Sequence, residues 1–191
     1  MAPRDPEATK AKLLEAARHE FSAKGIAGAR VDAIAARAGV NKQLVYYHFG
    51  SKDGLYRELL HQRLARPRDL PEGANPTTGE RLAAAAADLA AERDYVRLLM
   101  WEALEAGPDG EVGEEDARRE VYDALLDSVR AAQATGEVDP DLDPAQVLLS
   151  RIGQVLFPVA FPQLTRLITG MAVTDAAFTR ARTEFLRAAY R

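Results

Sequence analysis

Apolar residues recur every three or four positions along most of the chain, and no run alternates apolar and polar residues as a half-buried strand would. The first helix is announced by Asp5-Pro6, a capping carboxylate followed by proline at the first helical position. Leu13, Ala17 and Phe21 then fall on one stripe, and Gly25 and Gly28 end the run. A short helix follows from about Val31 to Ala38, with Ile34, Ala35 and Ala38 inward. After the tight turn Gly39-Val40-Asn41, a third helix runs from Lys42 to Phe49. Gly50 stops it, Ser51 caps the next, and Leu55, Leu59 and Arg63 carry that one to about Arg66.

Residues 67–79 hold three prolines and two glycines and read as a linker. Beyond it the pattern predicts helices at about 79–91, 93–106, 114–134, 144–159 with a kinked extension to about 169, and 174–190. Pro158 and Pro162 should kink or break the run that contains them. The expected fold class is all-α: an N-terminal three-helix head over 7–67, a linker over 68–79, and a larger helical body over 80–191.

Residues 30–49 have helix-turn-helix spacing. Two short helices cross at a steep angle, a glycine gives the corner its freedom, and small side chains (Ala35, Ala38) stand where the helices touch. At 100° per residue, Val45 and Phe49 share the inward face, which leaves Gln43 and Tyr47 opposite them, with Leu44, Tyr46 and His48 on the flanks. An exposed Gln–Tyr pair backed by leucine suits base edges and thymine methyl groups.

Charge changes the picture at this point. The overall net charge is −4, yet residues 1–66 hold twelve Lys and Arg against seven Asp and Glu, a net +5, and the remainder is −9. All five lysines lie in the first 52 residues. Lys42 and Lys52 follow the capping residues Asn41 and Ser51, so both sit at helix N-termini, where the macrodipole disfavours a cation. A phosphate at each would reverse that cost. The other reading has Asp53 and solvent neutralising Lys52, with nothing bound.

Cysteine is absent, which excludes disulfides, thiolate metal sites and a thiol nucleophile. With three histidines no catalytic triad suggests itself. Glu58 and His61 form a single E-x-x-H, and Asp139, Asp141 and Asp143 imitate the start of a calcium loop. That loop then fails, because Pro144 and Ser150 stand where glycine and glutamate are required. The plainer reading makes Asp143 the cap of the helix that opens with Pro144. No catalytic residue, cofactor or metal site is expected. The opening MAPRDPEATK lacks the apolar core of a secretory signal, and a cytoplasmic protein is the expectation.

The segments IAARAGV, VYYHF and SKDGL, in register, resemble the N-terminal domain of the TetR family of bacterial transcriptional regulators. The resemblance covers about the first third of the chain. It implies phosphate contacts at Tyr46, His48 and Lys52, and base contacts at Lys42, Gln43, Leu44 and Tyr47. Where the family usually places Ser or Thr before its second helix, this chain has Ala29-Arg30; Arg30 can itself reach a phosphate, and the side-chain cap is left open.

The body resembles the family's ligand-binding and dimerisation domain by layout, and LFPVAFPQLTRLITG with a final amphipathic helix is similar to one branch of it. This implies a homodimer on a palindromic DNA duplex, and a repressor released by a small-molecule effector. The dimer stripes would be Leu148, Ile152 and Val155, and Phe178, Ala181, Phe185 and Ala188. Intramolecular core packing is the alternative for each. Tyr95, Met100, Trp101, Tyr122, Phe157 and Phe161 are the candidate pocket wall, with ordinary core as the alternative. A helical-bundle enzyme and an adaptor that no longer binds DNA are the rival functions.

Overall fold

The computed structural model describes residues 5–66 and 76–190. Among the described residues there are ten helices and no strand: α1 (Pro6–Gly28), α2 (Val31–Ala38), α3 (Gln43–Phe49), α4 (Lys52–Leu64), α5 (Thr78–Ala91), α6 (Arg93–Ala106), α7 (Glu115–Ala134), α8 (Pro144–Ala160), α9 (Pro162–Thr169) and α10 (Ala176–Ala189). Local chemistry sets most boundaries. The Asp5 carboxylate accepts the Glu7 N–H at 3.0 Å, the Ser51 hydroxyl accepts the Gly54 N–H at 2.9 Å, and Asp143 accepts the Ala145 N–H at 2.7 Å. Thr77 and Glu80 form a reciprocal capping box, so the expected linker is already helical from Thr78. The rest of that linker, 67–75, lies outside the described residues.

The described chain packs as two compact units, and the division differs from the expected one. One unit joins 5–66 to 97–118; the other joins 76–96 to 119–190. The second half of α6, the loop after it and the start of α7 therefore belong with the head.

The reason lies in α1. Its stripe Leu13, Ala17 and Phe21 is fully buried with Ile34, Val45, Leu55 and Leu60, and Phe21 meets Tyr56 edge to face with ring centroids 5.5 Å apart. Gly25 then leaves the helical conformation (φ 72°, ψ 177°) inside α1, which interrupts the backbone ladder. The Ser22 carbonyl accepts from Arg97 Nε at 2.8 Å and from Trp101 Nε1 at 3.2 Å. Beyond the break, the Ala27 N–H donates to the Glu105 carboxylate at 3.3 Å. Arg97, Trp101 and Glu105 are spaced four apart, so one face of α6 supplies all three. The positive φ at Gly25 favours glycine, and a Cβ there would press on the mobile end of Glu105 and lie 3.0 Å from the Trp101 ring.

The next residue round, Glu102, forms a second tie. Its carboxylate takes Arg118 at 2.8 and 3.1 Å, the Gly113 N–H at 2.9 Å and the Tyr56 hydroxyl of α4 at 3.4 Å. Glu102 and Arg118 are 6% and 7% exposed, so each charge relies on the other.

In the other unit α5 packs on α8 and α10 around Leu82, Ala83, Val155 and Leu186. Pro158 stays within α8, and the chain turns instead at Phe161-Pro162, where α8 and α9 meet at 92°. A proline lacks the N–H that would bond the carbonyl four residues back; here the orphaned Gln154 carbonyl accepts from Arg182 of α10 at 2.7 Å. The expected dimer stripes are split. Leu148, Val155 and Phe178 are buried within this unit, and Ile152 is half-buried, because that face of α8 and α10 turns onto their own neighbours. Ala181, Phe185 and Ala188 stay exposed, joined by Leu149, Phe157, Phe161, Leu164, Leu167 and Ile168. No single described helix is long and apolar enough to cross a membrane.

Glu102→Ala is expected to lower the unfolding free energy by about 3–5 kcal/mol, because it strands the Arg118 guanidinium in the interior. A Glu102→Leu, Arg118→Met double variant should recover most of that loss. Urea unfolding of both proteins checks the pair.

Candidate nucleic-acid interface

The head positions α3 by two turns. Gly39 adopts the left-handed conformation (φ 67°) and donates to the Ala35 and Ala36 carbonyls, closing α2 and reversing the chain. The Asn41 side chain then accepts the Gln43 N–H at 2.9 Å and starts α3. Val45 is fully buried and Phe49 half-buried, which anchors one face. On the other face Gln43 is exposed, Tyr46 is 50% exposed and Tyr47 80% exposed, while Leu44 and His48 are half-buried on the flanks. Tyr47 and His48 pack edge to face at 5.0 Å. Beyond that ring contact, most of the Tyr47 side chain faces solvent.

The cations around α3 differ in what holds them. Lys42 pairs with Asp32 of α2 at 3.2 Å across the turn, both well exposed. Lys52, at the start of α4, donates to the Ala27 and Ala29 carbonyls, each at 3.3 Å. It thereby closes the end of α1, a role that the sequence did not disclose. Arg30 is exposed and starts α2 without a side-chain cap; its N–H donates to Glu20 Oε1 at 3.4 Å. The Lys24 ammonium at 2.7 Å holds the Glu20 carboxyl below the usual carboxylate range, with burial opposing it and the Arg30 N–H reinforcing it. Arg30, Lys42, Gln43, Tyr46 and Tyr47 are thus all solvent-accessible, on α3 or at the start of α2.

The candidate pocket residues do not gather round one described cavity. Met100 and Trp101 lie in the head unit, with the Trp101 indole N–H on the Ser22 carbonyl. Tyr95, Tyr122, Phe157 and Phe161 lie in the other unit. Tyr122 is 45% exposed, and Phe157 and Phe161 stack at 5.3 Å on the exposed face. A cavity between α8, α9 and α10 is lined by none of the six. The stripe Arg97, Trp101 and Glu105, polar and aromatic at four-residue spacing, was the signal that α6 serves the head.

The residues of the rival chemical motifs have local partners. Glu58 pairs with Lys10 at 2.8 Å, and His61 faces Glu114 at 3.6 Å. Asp139 accepts the Asp141 N–H, and Asp143 caps α8.

Comparison with known proteins divides the chain as the sequence does, with 97–118 inside the second family match. Residues 13–59 match the family described as "Bacterial regulatory proteins, tetR family", and residues 80–191 match "Tetracyclin repressor-like, C-terminal domain". The HTH-type transcriptional repressor SCO4008 of Streptomyces coelicolor is 37% identical over 174 residues, covering 89% of this chain and 88% of that protein. The HTH-type transcriptional regulator UidR of Escherichia coli is 26% identical over 172 residues, covering 85% of this chain and 87% of its own. The crystal structure of the Streptomyces coelicolor protein SCO4942 superposes with a TM-score of 0.75 at 30% identity, over 95% of this chain and 96% of that one.

Because Lys52 closes two carbonyls, Lys52→Met should weaken the DNA-free protein by about 1 kcal/mol. The midpoint of urea unfolding, with the slope unchanged, is the readout.

Proposed function

The chain belongs to the TetR family of bacterial regulatory proteins, and we propose that it is a homodimeric repressor that leaves a palindromic operator when a small-molecule effector binds its second unit. The observation that carries the DNA reading is the outward face of α3: Gln43 and Tyr47 stand free opposite a fully buried Val45. A helix braced on one side and bare on the other fits the major groove. In this reading Lys42, Gln43, Leu44 and Tyr47 face base edges, while Arg30, Tyr46, His48 and Lys52 lie against phosphates. The net +5 of residues 1–66 supplies the attraction, and the −9 remainder is repelled by DNA.

The exposed apolar residues of α8, α9 and α10 support the dimer. Phe157, Phe161, Leu164 and Phe185 are each 42–53% exposed in one chain, and a self-complementary face of this kind suits a two-fold axis. Two recognition helices one turn of duplex apart then read two half-sites. Effector binding acts by favouring a state in which that separation is lost, through its different affinity for the two states.

Two outcomes are expected. Affinity for genomic fragments selected at low salt should fall steeply with salt, by nearly one unit of log–log slope per phosphate contact; a flat dependence would contradict DNA binding. Gln43→Ala should cost about 1–3 kcal/mol at the selected site and relax preference at one base pair per half-site, whereas Arg30→Ala should weaken all duplexes alike and lower the slope. Binding to single-base variants of the site at two salt concentrations separates these roles.

A further inference from the structure

Between Glu20 and Asp53 the chain holds five Lys and Arg but a single acid, Asp32. A surface that meets a polyanion gains by shedding carboxylates, so the one that remains calls for a reason. Asp32 stands in the first turn of α2, where a negative charge favours the helix. That gain does not depend on any partner, yet Asp32 reaches across the turn between α2 and α3 and pairs with Lys42, Oδ1 to Nζ at 3.2 Å. Lys42 is the residue at which α3 begins, next to the exposed Gln43. Both side chains of the pair remain open to solvent, 61% exposed for Asp32 and 59% for Lys42. An exposed ion pair adds little to stability. What it alters is the charge that the start of α3 presents.

We propose, resting on the operator reading above, that Asp32 is a specificity-determining residue: it reserves Lys42 for a base edge by barring phosphate from it. A phosphate seated on the Lys42 ammonium would bring a full negative charge close to the Asp32 carboxylate, and like charges at that range repel. A base edge carries no net charge. The O6 and N7 acceptors of guanine take a proton of the ammonium without that penalty. The pair is neutral as a whole, so it adds nothing to the sequence-independent attraction that a free cation such as Arg30 supplies. Asp32 itself touches no base; it acts through Lys42 and is a positioning residue.

The test is titration of the full-length protein with the selected genomic fragment and with a random duplex of equal length, each at several salt concentrations. Asp32→Asn frees Lys42 for phosphate. Binding of the random duplex should tighten by about tenfold at low salt, and its log–log salt slope should steepen by nearly one unit per half-site. The selected fragment should gain less, so the ratio of the two affinities should fall. Asp32→Glu, which keeps the charge, should behave as the unaltered protein does, and Lys42→Gln added to Asp32→Asn should remove the gain in slope. Asp127→Asn on α7 loses the same charge from an exposed pair with Arg130 and should change neither duplex, which separates a local effect from one of net charge. The midpoint of urea unfolding reads any loss at the start of α2 by itself. Three results would each overturn the proposal: a random duplex indifferent to Asp32→Asn, an equal gain for both duplexes, or a loss confined to the selected fragment, as direct reading of a cytosine amino group by Asp32 would give. If the unaltered protein bound no duplex in a salt-dependent way, the operator reading would fall and this role for Asp32 with it.

Discussion

The break in α1 at Gly25 is the constraint on which the head depends. A buried carbonyl needs a partner, and the break frees that of Ser22, together with the N–H of the exposed Ala27. Arg97, Trp101 and Glu105 of α6 supply the partners. Glycine at 25 takes the positive φ of the break and leaves room for Trp101 and Glu105 beside it. Glu102, gathering Tyr56, Gly113 and Arg118, ties α4 to the same segment. Residues 97–118 are thereby structural members of the helix-turn-helix unit, although they lie some thirty residues beyond it in sequence.

This arrangement bears directly on how a regulator of this family can work. α6 belongs to both units by covalent continuity, since 93–96 pack with one and 97–106 with the other. Within the head unit α6 meets the end of α1 through three side chains and α4 through Glu102. Lys52 bonds the Ala27 and Ala29 carbonyls from the start of α4, and so reaches the same end of α1. These hydrogen bonds stand beside the apolar packing that holds α3 through Val45.

Helix boundaries were legible because they are written in local chemistry. Asp5-Pro6, Gly39, Ser51 and Asp143-Pro144 each end or begin a helix through atoms within a few residues. The outward face of α3 was legible for a similar reason: Val45 fixes the helix phase, and Gln43 and Tyr47 follow by geometry. The packing of 97–118 against the head was not, because the bonds from Ser22 and Ala27 to α6 span 75 to 79 residues and leave no local signature. Trp101 illustrates the difficulty. As an aromatic in an apolar run it reads as a pocket wall, and only its polar neighbours Arg97 and Glu105 at four-residue spacing hint at a clamp. The stripe Leu148, Ile152 and Val155 failed differently: an apolar face is equally suited to its own chain or to a partner, and here most of it is used at home. Pro158 was expected to bend α8, but Arg182 satisfies the carbonyl that it orphans, and the helix runs on to the turn at Phe161-Pro162.

The central claim, that 97–106 fold and open with the head, is tested most directly by native-state hydrogen exchange on the full chain. The amides of 97–106 should exchange with the same opening free energy as those of α1 and α4, and Glu105→Gln should lower the protection of α1, α4 and 97–106 together. Exchange of α1 and α4 at a lower opening free energy, with 97–106 still protected to the level of α5 and α10, would contradict it.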